Sequence, residues 1–287
     1  MKKLMMVISI ALIILLINSC NGNPFMVNLF SGIDNYDLPD SFESAEDILN
    51  VPADDLLEAL SDDDVDQGFI DDVVALLEGE LDTPPAAATA DDQEAALLLA
   101  DVHLATTDAD DTINNVNDLL VDAISDPETL DFDSPEGIMT DLFALDETLT
   151  DEQNESIVEA QLMAFLGAAD ALEYYGDTML AGQDPSPEAN AGETAATAMI
   201  AGMTSYLIGN AVVDSTANPV VPMTEEQAIA AIAASIVTGS DMPDMASDPD
   251  VDNAETTEDM FNAMLGNGLT EVVSDGFDLS AFEDMGA

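Results

Sequence analysis

The chain has 287 residues, of which 61 are Asp or Glu and only two are Lys or Arg, for a formal net charge of −59. A field of that sign excludes nucleic acid as a partner and opposes direct adhesion to anionic lipid. Hydrophobic residues make up 47% of the chain, so it can bury a core despite its acidity, and the single cysteine excludes an intrachain disulfide and any Cys-ligated metal or redox site.

The chain opens with Lys2 and Lys3, followed by the apolar run LMMVISIALIILLI from Leu4 to Ile17. A spanning helix needs about 20 apolar residues, so this shorter run reads as the core of a signal peptide. It ends Ile17, Asn18, Ser19, Cys20. That ending resembles the lipobox of bacterial lipoproteins, and the resemblance implies cleavage before Cys20 and acylation of its thiol and new amino group. Several acyl chains give stable anchorage, because each buried methylene contributes about 0.8 kcal/mol and one chain holds only marginally. The alternatives are an uncleaved single-pass anchor and an ordinary signal peptide with an incidental cysteine. On the first reading, residues 1–19 are the signal peptide, 20–39 the lipidated cysteine and a tether, and 40–287 one acidic helical domain.

Both lysines precede Cys20, and every acidic residue follows it. Apart from His103, the chain beyond Cys20 has no cationic side chain, so the Glu–Lys pairs that support ordinary surface helices cannot form. Self-repulsion on this scale opposes compaction unless it is screened. The screening length falls from about 10 Å at 0.1 M salt to about 3 Å at 1 M. A saline environment is therefore the first expectation; dedicated divalent-ion binding and an acidic medium are the alternatives.

Helix signals recur after residue 40. Asp40 with Glu43 precedes Ala45, Ile48 and Leu49; Pro52 suits a first turn before Leu56, Leu57 and Leu60. Ser61 and Asp64 stand at cap spacing ahead of a stripe from Val65 to Leu77, with Gly79 as a stop, and TPPAAAT (83–89) reads as a stiff loop. Helices are expected over 91–106 and 110–124, then after Ser134–Pro135, and then from the box Thr150/Gln153 to about residue 181. From about 187 to 213, Gly192, Met199, Tyr206 and Val213 recur every seven residues, as do Ala195, Gly202 and Gly209. That alternation of threes and fours marks a helix seam, here a buried central helix closely approached by a neighbour. Thr224/Gln227 caps a further helix that stops at Gly239, and 256–265 forms another that stops at Gly266. The tail from Leu269 adds at most one more turn. No strand is expected, so the fold class is all-α: an irregular bundle of nine or ten paired amphipathic helices. The stretch DPDVDNAE (248–255) resembles the linker of tetratricopeptide-type repeats, but no tryptophan and no 34-residue period accompany it.

The strongest ion motif is DPDVDNAETTED (248–259). It places Asp248, Asp250 and Asp252 as in a calcium-binding loop, with Asn253 at the turn and Asp259 as the closing carboxylate. The competing reading is an acidic helix–helix turn. Asp62, Asp63, Asp64 and Asp66, like Asp108, Asp110 and Asp111, read as solvated first turns and caps. His103 reads as a packed histidine, since a zinc site needs several and no G-x-S-x-G elbow is present. Tyr174 and Tyr175 could edge a cleft or cap the core. No phosphate loop or dinucleotide fingerprint occurs.

These readings point to an exported, lipid-anchored helical protein that binds or scaffolds at the cell envelope and is not an enzyme. It would have the bilayer as a partner through Cys20, an envelope protein or an apolar small ligand as a second partner, and Ca2+ as the one candidate cofactor. The alternatives are a calcium-binding lipoprotein, a tetratricopeptide-like subunit of an envelope complex, and a hydrolase using paired carboxylates.

Overall fold

The computed structural model describes residues 38–276, except positions 40, 63–64, 108, 110–111, 114, 116–142, 144, 147, 188, 217–218, 253 and 255–256. The signal peptide, Cys20 and nearly all of the tether therefore lie outside the described residues, as do most of the expected 110–124 helix and the Ser134–Pro135 helix start.

The described chain is an all-α, multi-helix bundle. A first group comprises α1 (Ala45–Leu49), α2 (Ala53–Leu60), α3 (Gln67–Glu80) and α4 (Ala90–Ala105). The long α5 (Asp151–Leu180) follows, then α6 (Ala191–Gly209) and α7 (Glu225–Thr238). The chain closes with α8 (Pro249–Asp252), α9 (Thr257–Leu265) and α10 (Asn267–Gly276).

Local sequence sets most of these boundaries. Thr150 accepts from the Gln153 amide at 3.3 Å while Gln153 Oε1 accepts from the Thr150 amide at 3.1 Å. Two otherwise orphaned N–H groups are thus satisfied at the start of α5. Thr224 with Gln227 repeats the arrangement at α7, and Thr89 with Asp92 at α4. With no lysine or arginine for the C-terminal carbonyls, α7 ends on Gly239 in the left-handed conformation (φ 64°), and α9 ends before Gly266 (φ 81°).

Three starts differ from expectation, one of them α6, which begins at Ala191 rather than about 187. Ser44 caps α1, accepting from Asp47 N at 3.3 Å, and Asp40 lies outside the described residues. Asp66 caps α3, accepting from Gly68 N at 2.9 Å, so the helix begins after Val65, and Gly79 lies inside it. The stiff loop contains one 3-10 turn, Pro85–Ala87.

At 30 residues, α5 is about 45 Å long and forms the spine. Helices α4, α6, α7 and α10 all pack on it, while α1, α2 and α3 reach it mainly through α4. One core gathers Leu56, Leu77, Val102, Phe165, Leu172 and Met199. A second core joins the first half of α5 to α7, with Val158, Leu162, Ile208, Ile229, Ile232 and Ile236.

Of the expected seam in α6, Ala195, Met199 and Gly202 are buried and Gly192 and Tyr206 half-buried, whereas Gly209 and Val213 are exposed. A Cβ on Gly202 would stand 2.8 Å from Leu265 Cδ2 and 3.0 Å from Leu269 Cδ1, so α9 and α10 close directly onto this row. The helix stops at Gly209, four residues short of expectation. Beyond it lies an unexpected two-residue strand: Ala211 pairs with Met245 and Val212 with Asp244, antiparallel, and Val212 also bridges Pro222.

The largest departure is the tail. It forms the ten-residue α10, with Leu269, Val272 and Val273 buried between α5 and α6. Its approach depends on glycine at both ends. A Cβ on Gly176 of α5 would lie 1.9 Å from the Gly268 carbonyl oxygen, and one on Gly276 would lie 2.3 Å from the Ala191 carbonyl oxygen. Among the described residues no helix is long and apolar enough to cross a membrane.

Candidate functional site

The acidic motif at 248–259 is built around one helical turn, α8. The Asp248 carboxylate turns back on its own chain: Oδ1 accepts from the amides of Asp250 at 3.0 Å and Val251 at 3.5 Å. Its Oδ2 accepts from the Tyr206 hydroxyl at 3.2 Å, tying this turn to α6. Asp250 and Asp259 are exposed; the Asp252 side chain, Asn253 and Glu255 lie outside the described residues. Among the described residues, no three His, Cys, Asp or Glu side chains stand close enough to hold a metal ion. Asp66 serves as the α3 cap; Asp63, Asp64, Asp108, Asp110 and Asp111 lie outside the described residues.

The paired tyrosines lock loops to the spine. Tyr174 donates to the Thr83 carbonyl at 2.9 Å and so holds the stiff loop. Tyr175 is 1% exposed, and its hydroxyl accepts from Ser186 N at 3.1 Å, holding the α5–α6 connection. A polar link that the sequence did not single out lies nearby. Buried Gln93 on α4 donates from Nε2 to Thr178 Oγ1 at 2.7 Å, and that hydroxyl donates to the Tyr175 carbonyl at 2.7 Å. Gln93 Nε2 and the Thr178 hydroxyl thereby gain partners, which an isolated amide in an aliphatic core would lack at a cost of about 1–3 kcal/mol.

Where α4 meets α5 farther along, His103 occupies a notch made by Gly167. A Cβ there would stand 2.7 Å from Cδ2, Cε1 and Nε2 of the ring, so the half-buried imidazole rests directly on the helix backbone. Burial holds its pKa below the ordinary value, while Glu78 on α3 and Asp170 on α5 pull it the other way. Burial raises the pKa of Asp170, with Glu225 on α7 and Glu78 adding to the rise and His103 opposing it. Glu173, one turn on, is likewise raised by burial and by Asp177 and Asp170.

An open groove of about 430 Å³ lies where the described chain begins. Leu38, Ala59, Val65 and Phe69 line it, with Asp62 and Asp66 among them. Phe42 and Phe69 form a tilted ring pair at 5.7 Å between centroids.

No family model matches the chain, and neither a curated protein nor a solved structure resembles it. The groups gathered about α5 are carboxylates supplied by several helices near one imidazole, above an aliphatic interior.

Proposed function

We propose that this protein is exported and lipid-anchored through Cys20, and that its acidic helical bundle binds or scaffolds at the cell envelope in surroundings of high ionic strength. The observation that carries the reading is the placement of charge. Both lysines stand before Cys20 in a signal-peptide-like leader, and all 61 carboxylates stand after it. A partner would be an envelope protein or an apolar small ligand, since small anions are repelled by this surface.

Mass spectrometry of the chain isolated from a bacterial envelope tests the anchor: the expected N-terminus is an acylated Cys20, and Cys20→Ser leaves it unacylated and unprocessed. An unmodified N-terminus in the wild type overturns the anchor. Thermal melting tests the adaptation. Raising NaCl from about 0.1 M to about 1 M shortens the screening length roughly threefold and should raise Tm progressively. Unchanged melting refutes it. A sharp, stoichiometric rise with Ca2+ at fixed ionic strength would instead favour a cation site involving Asp248, Asp250, Asp252 and Asp259.

A further inference from the structure

His103 is the only histidine, and beyond Cys20 it is the only side chain that can become a cation near neutral pH. Its ring sits at a contact between helices, on the backbone notch of Gly167. Carboxylates bear on this place from each neighbouring element: Glu78 from α3, Asp170 from α5, and Glu225 from α7 through Asp170. On α4 itself the nearest acid in sequence is Asp101; Asp108, Asp110 and Asp111, just beyond the helix, lie outside the described residues.

We propose that the His103–Gly167 contact is a proton-sensitive joint, packed with a neutral ring near pH 7 and loosened when the ring takes up a proton. The same proton creates a cation that Glu78 and Asp170 attract, and Asp170 in turn faces Glu225, so the joint couples α3, α4, α5 and α7 to the acidity of the medium. Burial opposes the charged ring, and the acids favour it; burial is the larger influence. The sign follows from this order. A histidine whose folded-state pKa is depressed contributes stability that is present above its ordinary value near 6.5 and is lost as the pH falls through the folded value. Asp170 acts oppositely. Its raised value contributes stability at low pH, below about 3.8, which is lost as the pH rises through the folded value. The two contributions run opposite ways, His103 losing its share as the pH falls below about 6.5 and Asp170 losing its share as the pH rises above about 3.8.

Because the chain has one histidine, its imidazole gives a single proton-NMR titration curve in the full-length protein. The expected midpoint lies below the free value in dilute buffer. It falls further in molar NaCl, because salt screens the attraction of Glu78 and Asp170 but leaves burial intact. Glu78→Gln and Asp170→Asn should lower it as well, with His103 still in place. Hydrogen exchange of α4 and α5 amides near the contact, corrected for intrinsic rates, should accelerate measurably, by about threefold or more, from pH 7 to pH 5. His103→Gln should remove this acceleration. A midpoint at or above the free value, a midpoint indifferent to salt, or equal acceleration in His103→Gln would each overturn the proposal.

Discussion

Gly167 and Gly176 lie nine residues apart on α5, so the helix period sets them on opposite faces, about 14 Å apart along the axis. Each makes room for a different neighbour. At Gly176 the space a methyl would fill is taken by the backbone of α10, with the Gly268 carbonyl oxygen 1.9 Å from the missing Cβ position. At Gly167 it is taken by the end of a side chain, the His103 ring at 2.7 Å. A backbone-on-backbone contact has no rotamer through which to yield. A ring contact can yield by turning, and it can change charge. One spine therefore carries a fixed joint toward the C-terminal helix and an adjustable one toward the N-terminal group.

Substitution at the fixed joint should have the larger effect. Gly176→Ala forces α10 away from α5 and exposes Leu269, Val272 and Val273, so a loss of about 3 kcal/mol or more is expected by urea unfolding in molar NaCl. A loss below about 1 kcal/mol would show that α10 is not seated on α5. The adjustable joint should cost less. Gly167→Ala gains up to about 1 kcal/mol of helix propensity but displaces the ring, for a net loss of about 1 kcal/mol. The contrast sharpens in a double-mutant cycle with His103→Ala: once the ring is gone, Gly167→Ala should be neutral or stabilising. If its cost persists without the imidazole, the ring is not what fills the notch.

These joints also show which parts of the molecule could be read from its sequence. Thr150/Gln153 and Thr224/Gln227 mark their helices because a cap is made within four residues, and α5 and α7 begin where those pairs place them. The cap expectation at Asp40 gave way to Ser44, and that at Ser61 and Asp64 to Asp66, because so many acids offer cap spacing at several neighbouring positions. The tail helix was hidden by its own packing. Gly266 reads as a stop, and two residues on Gly268 is there because α5 approaches from a segment some 90 residues earlier, where Gly176 leaves room. The tyrosines were legible as cleft edges or core caps, but their partners, Thr83 and Ser186, were not, being loop groups with no pattern of their own. In the ion motif the difficulty is frequency: carboxylates are common enough for D-x-D-x-D to arise by chance. At its head Asp248 turns to its own backbone and to Tyr206, and the Asp252 side chain lies outside the described residues.

A third glycine completes the comparison by meeting nothing. Gly79 lies inside α3, is exposed, and has no atom within 4 Å of where its Cβ would stand. It is the position the sequence marks as a stop, yet the helix runs on through Glu80. With neither a positive φ nor a close neighbour to require it, glycine here only leaves the unfolded chain more freedom to lose. Gly79→Ala should therefore stabilise the protein by about 0.5 kcal/mol in the same urea titration, the full interior value being reduced by its place in the last turn. A loss of stability there would show that the end of α3 requires glycine, and that the contrast with Gly167 and Gly176 does not hold at this position.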